Sequence, residues 1–179
     1  MKGIIFTEFL EMVEEKFGEE VVETIIENAN LPSEGAYTSV GTYDHKEMYS
    51  LIRELHKNTD IPVPQLMHAY GFYLFATLAN SYKPMLSDID NAFDMLRSVD
   101  KYIHVEVRKL YPDAELPHFE VIDRGTNALE MIYTSPRKMS DVAAGLIEGC
   151  LMHFKEKATV TKEMIIEDGS KVRFDIIKN

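Results

Sequence analysis

The 179-residue sequence has a single cysteine and no tryptophan. A lone thiol, Cys150, excludes an internal disulfide and a zinc site built from several thiolates; on its apolar stretch it reads as a small buried hydrophobe and a poor nucleophile. Basic residues are also few. Lys and Arg number 19 against 30 Asp and Glu, a formal net charge of -11, which argues against a surface for nucleic acid or anionic lipid. No apolar run approaches ~18 residues, and acids at Glu8 and Glu11 interrupt the first apolar stretch, so neither a membrane span nor a signal-peptide core is expected. The chain reads as soluble and cytoplasmic. P-loop, HExxH, GxSxG and dinucleotide fingerprints are missing, and the many carboxylates read as solvated helix faces rather than an acid/base pair, so no enzyme is expected.

What is present is 45% apolar residues, enough for a core in a chain of single-domain size. The first two thirds have helical period. Ile5, Phe9, Val13 and Phe17 recur every four residues before Gly18, and "EEVVETIIENAN" has acids at its start and stops at Asn30 and Pro32. Asp44 and Glu47 have the spacing of a capping box. Pro64 suits the first turn of a helix lined by Leu66, Tyr70, Leu74 and Leu78. From Met85 to Tyr111 the stripe Leu86, Ile89, Phe93, Leu96, Val99, Ile103, Val107 and Leu110 predicts one helix of ~40 Å.

The last third changes to strand period. "PHFEVID" and "ALEMIYT" flank "RGTN", and "TVTKEMIIE" and "KVRFDIIK" flank "DGS", which predicts two hairpins around a helix over "SDVAAGLIEGCLMHF". In that helix Gly145 and Gly149 would allow a neighbour to approach closely. The order predicts an α+β protein with a four-stranded antiparallel sheet.

Two groups of residues invite a chemical reading. His104 falls at the border between the apolar stripe and a polar side carrying Arg97, Lys101 and Arg108, where one ring nitrogen can face a cavity and the other a polar partner. Such a histidine is either a plain surface residue or a metal or haem ligand. Of the others, His45, His56 and His68 read as solvated, His153 as complementing a helix end and His118 as structural. In "MIYTSPRKMS", residues two apart in an extended chain share a face, so Tyr133, Ser135 and Arg137 would present three donors together. The structural alternative makes Tyr133 a packed strand end and Ser135 a helix N-cap. The chemical one has Arg137 gripping a carboxylate bidentately.

Together, "MKGIIF", the histidine in "VDKYIHVEVRKLYP", the YxSxR pattern of "YTSPR" and "GLIEG" resemble the H-NOX family of haem nitric oxide/oxygen binding domains over essentially the whole chain. The resemblance implies haem b (iron protoporphyrin IX), held between an N-terminal helical distal lobe (residues 1–62) and a proximal lobe (63–179) with a long helix and the sheet. By match to the family's motifs, His104 is implied as the iron ligand and Tyr133, Ser135 and Arg137 as the clamp on the propionates. Pro117 matches the proline that bends the haem plane, and Ile5 a distal residue opposite it. The tyrosine of oxygen-binding members falls on Val142, the other polar distal position on Leu74, and a tryptophan of the first helix on Phe9. An apolar pocket of Phe9, Leu74, Leu78 and Val142 thus implies NO and CO as the diatomic ligands, with Tyr70 and Tyr73 the nearby hydroxyls to watch. The cysteine-ligated zinc site of some members is missing here.

The resemblance further implies a stand-alone NO sensor of bacterial type. Gas binding would weaken the iron bond to His104, and the partner in trans would be a histidine kinase or a cyclic-di-GMP enzyme, a diguanylate cyclase or phosphodiesterase. Rival readings are an O2 sensor, a haem peroxidase, which would need a polar distal acid/base pair, and a haem-free adaptor using its acidic surface.

Overall fold

The structure is a computed structural model of the chain; it describes residues 1–179 apart from the side chain of Met85. Contacts divide the chain into two compact units, Met1–Tyr70 and Gly71–Asn179. The dividing point falls inside one helix.

The first unit contains α1 (Gly3–Phe17), α2 (Glu19–Asn28), α3 (His45–Thr59) and the first turns of α4 (Val63–Ser81). Its fully buried side chains include Phe6, Phe9, Val13, Ile25, Leu51, Ile52 and Leu55. The i, i+4 stripe of α1 is rotated from expectation: Phe6 and Met12 are buried, whereas Ile5 and Phe17 are half-buried. The reason is a partner distant in sequence, since Phe6 stacks on Tyr37 at 4.4 Å and meets the edge of Tyr43 at 5.7 Å. Gly3 is required here, because a Cβ would lie 1.8 Å from the Thr38 carbonyl oxygen.

Asp44 caps α3 through a bond from the Lys46 amide at 2.9 Å, but the reciprocal half of the capping box does not form. Glu47 is buried instead and accepts from the hydroxyls of Ser33 and Tyr37, the latter at 2.9 Å. Burial pushes the Tyr37 phenol up, and its bond to the Glu47 carboxylate adds to the rise.

In the second unit the helix predicted from Met85 to Tyr111 is broken. A short α5 (Lys83–Leu86) is followed by a turn and then α6 (Ala92–Ser98), a π-helical segment (Val99–Ile103) and α7 (His104–Leu110). "SDIDN" explains the break, since Ser, Asp and Asn prefer caps to helix interiors. Ser87 donates to the Pro84 carbonyl at 3.0 Å, and Asn91 caps α6 by accepting from the Asp94 amide at 2.9 Å. Leu86 and Ile89 still pack on the core, which is why the apolar spacing survives the break. Leu110 is exposed.

The two hairpins form as predicted: β1 (His118–Asp123), β2 (Ala128–Thr134), β3 (Ala158–Met164) and β4 (Lys171–Lys178), antiparallel in the order β1-β2-β4-β3. Alternation buries Leu129, Met131 and Tyr133 of β2 beside Val172, Phe174 and Ile176 of β4. They share a core with Phe93 and Leu96 of α6 and with Ala143, Ile147 and Cys150 of α8 (Ser140–His153). Burial pushes the Cys150 thiol up, which keeps it protonated.

Gly71 and Gly149 set the approach of α4 to α8. A Cβ on Gly71 would lie 2.1 Å from the Val142 carbonyl oxygen, and one on Gly149 would lie 2.7 Å from the Phe75 Cβ. Gly149 was legible as a contact residue; Gly71 was not. Gly149→Val is expected to destabilise the chain by about 1–3 kcal/mol through overpacking. Thermal unfolding should fall by roughly 2–4 °C per kcal/mol.

Candidate functional site

His104 opens α7, directly after the π-helical segment, whose wider turn is closed by its own amide returning to the Val99 carbonyl five residues back. The residue is 8% exposed. Its Nδ1 lies 3.0 Å from Asp100 Oδ1. A carboxylate only accepts, so Nδ1 carries the proton and Nε2 the lone pair. Burial pushes the His104 pKa down, partly offset by Asp100, so the imidazole is neutral near pH 7. A buried neutral imidazole with a committed Nδ1 is the form a metal ligand requires.

Asp100 also accepts from His118 Nδ1 at 2.8 Å and from the Phe119 amide at 3.3 Å. Burial pushes the Asp100 carboxyl up, but the bonds from His104, Phe119 and His118 outweigh it, and the group sits below the ordinary range. Asp100 and Phe119 had no role in the sequence reading. A carboxylate four residues before a candidate ligand was the available signal for Asp100. The Phe119 ring lies 6.1 Å from that of His104 and 5.6 Å from that of Tyr133, so it fills the space between them.

The strand carrying Tyr133 ends at Thr134, and residues after it turn. The expected shared face therefore stops at Tyr133. Ser135 is not the N-cap of α8, which begins at Ser140; its hydroxyl instead accepts from the Arg137 amide at 3.2 Å. The Tyr133 hydroxyl accepts from the Met139 amide at 3.0 Å, and the Ser135 amide donates to the Ser170 carbonyl at 2.9 Å. Arg137 holds Glu115 by one bond to the carboxylate (2.7 Å) and one to its carbonyl (2.8 Å), rather than bidentately on one carboxylate. The guanidinium is 15% exposed and the Glu115 side chain 85%. A mostly buried arginine that already binds an exposed surface carboxylate has the chemistry for an acidic ligand group.

Pro117 is half-buried just before β1. Leu74 is buried on α4, while Leu78 and Val142 are half-buried on α4 and α8. In the first unit Phe9 meets the Tyr70 ring edge-on at 5.3 Å, and the Tyr70 hydroxyl donates to the Ile5 carbonyl at 2.5 Å.

The Haem-NO-binding family matches residues 2–162. The chain belongs to the H-NOX family. An Fe(II) unliganded H-NOX protein from K. algicida is 47% identical, with a TM-score of 0.95 over 100% of this chain and 97% of that one. An H-NOX from Shewanella woodyi, solved in solution with IWP-051 in the Fe(II)CO state, is 38% identical with a TM-score of 0.85 over 100% and 95%. An H-NOX from S. oneidensis in the Fe(II)NO state is 27% identical with a TM-score of 0.93 over 100% and 99%. The fold is thus the H-NOX α+β fold, the cofactor is haem, and the family is one of gas sensors rather than enzymes. Among the described residues no helix is long and apolar enough to cross a membrane. The residues present fit a haem: a neutral buried histidine with one nitrogen committed, and an arginine that takes a carboxylate.

The loop bearing Arg137 is also braced by Lys138, which pairs with Asp168 at 3.0 Å. Hydrogen bonds from Ser170 and the charge of Lys138 hold the Asp168 pKa down to about 2. A depressed carboxyl contributes stability that is fully present above its ordinary value and lost as pH falls toward about 2. Acid unfolding followed by circular dichroism should therefore be less steep in Asp168→Asn between pH 3.8 and about 2.

Proposed function

We propose that this H-NOX chain is a ferrous-haem sensor of NO, also able to take CO, with His104 as the iron ligand and Tyr133, Ser135 and Arg137 as the propionate clamp. The observation that carries the reading is the neutral, buried His104 whose Nδ1 is committed to Asp100. When bound, the haem would supply an iron that takes a diatomic gas. The chain would supply the rest: His104 would offer Nε2, Arg137 would hold a propionate in place of the exposed Glu115 carboxylate, and Pro117 would pack against the haem.

Preference for NO over O2 rests on hydrocarbon side chains at the positions assigned to the gas side. Phe9, Leu74, Leu78 and Val142 carry no donor, and bound O2 needs one for the negative charge on its outer oxygen. Of the two nearby hydroxyls, that of Tyr70 already gives its one proton to the Ile5 carbonyl. The same lack of an acid/base pair counts against a peroxidase. Ile5 is assigned to the distal side with Phe9. The readout is regulation of a histidine kinase or a cyclic-di-GMP enzyme in trans, in the cytoplasm.

The deciding experiment is an anaerobic absorption spectrum of the reduced haem-loaded protein before and after NO, and separately after air. A histidine-ligated ferrous spectrum that shifts with NO and gives no stable O2 complex is expected; a stable O2 complex would overturn the NO assignment. His104→Gly should lose haem and regain it with added imidazole, whereas an unchanged spectrum would remove His104 as ligand. Arg137→Ala should speed haem loss by roughly 10- to 100-fold through a lost charge-assisted pair of about 1.5–3 kcal/mol. Transfer of haem to an acceptor protein measures that rate, and a wild-type rate would leave Arg137 without a clamp role.

A further inference from the structure

Asp100 belongs to none of the roles assigned above, yet it is the side chain hydrogen-bonded to His104. We infer that Asp100 is the positioning residue of the iron ligand: its carboxylate fixes the tautomer and orientation of His104 and ties it to the start of β1. The inference rests on the reading of His104 as the ligand.

A carboxylate offers two oxygens and about four lone-pair directions. Oδ1 takes the His104 ring at 3.0 Å and the Phe119 amide at 3.3 Å, and Oδ2 takes the His118 ring at 2.8 Å. One group thus joins the π-helical segment, the first residue of α7 and the first two residues of β1. With its side chain 24% exposed, Asp100 is partly shielded from water, so these bonds keep more of their strength than surface pairs do.

Two consequences follow from charge. A full negative charge on the Nδ1 proton makes the imidazole a stronger donor through Nε2, so iron should be held more firmly than by a histidine bonded to a neutral acceptor. The ring's rotation is also restricted, because a turn about its axis would break the 3.0 Å bond. The π-helical segment that carries Asp100 is a local departure of the kind found at functional sites in helices. Any displacement of His104 pulls on Asp100 and, through it, on the strand that begins just after Pro117. The iron bond is thereby linked to the sheet by hydrogen bonds rather than by packing alone.

A merely structural Asp100, needed only to anchor β1, would affect folding but not the iron bond. The two are separated by resonance Raman spectra of the full-length, haem-loaded, reduced protein, read at the iron–histidine stretching band. In Asp100→Asn, where a neutral amide replaces the carboxylate, the band should move to lower frequency. Haem transfer to an acceptor protein should also accelerate by roughly 10-fold. Asp100→Glu keeps the charge on a longer arm and serves if the Asn variant does not fold; its band should also be displaced from wild type. A band at the wild-type position in whichever of these variants fold, even with lowered thermal stability, would overturn the positioning role. Wild-type protein with no iron–histidine band would instead remove His104 as ligand, and the inference with it.

Discussion

One carboxylate with three donors joins a helix and a strand of the second unit. Asp100 meets the His104 ring, the His118 ring and the Phe119 amide, groups drawn from the start of α7 and from the start of β1 beyond the loop that follows it. Burial alone would favour a neutral His104 without choosing which nitrogen keeps the proton. The carboxylate makes that choice, and the Nε2 lone pair of a buried histidine is left for the ligand role proposed for it. Asp100 stays ionised despite its own partial burial because three donors converge on it.

The loop that carries Arg137 depends on a different support. Tyr133 is fixed by the sheet, but Ser135 and Arg137 lie on a turn held by the Ser170 carbonyl, the Lys138–Asp168 pair and the bond between Met139 and Tyr133. The β3–β4 hairpin therefore shapes a loop that belongs in sequence to the end of β2. Arg137 is thus mostly buried yet still directed at an acidic group, and the one it holds, Glu115, sits on a solvent-exposed side chain that can be displaced at little cost.

Both supports rest on a core of ordinary construction. The alternating residues of β2 and β4 pack against α6 and α8, and α8 approaches α4 closely because Gly71 and Gly149 lack a Cβ. The acidic charge balance around such a core does not suit nucleic acid. In a gas sensor the useful property is a ligand whose bond can change while its surroundings hold. In the sensor proposed here, the hydrogen-bonded link from His104 to β1 would give that change somewhere to go.

The sequence by itself determined the helical and strand periods, both hairpins, the capping role of Asp44 and the residues carrying the H-NOX resemblance. Those features depend on neighbours a few positions away, or on motif spacing, and local chemistry suffices for them. Tertiary structure alone decided that Glu47 turns from its cap to Ser33 and Tyr37, that the face of α1 is set by Tyr37 and Tyr43, and that Asp100 reaches His118 and Phe119. Each of these follows from a hydrogen-bonding or aromatic partner brought near by folding. The break before Ala92 lies between the two cases. Its signal, "SDIDN", was in the sequence, but the apolar spacing ran through it because Leu86 and Ile89 bury against the same core from a turn as they would from a helix.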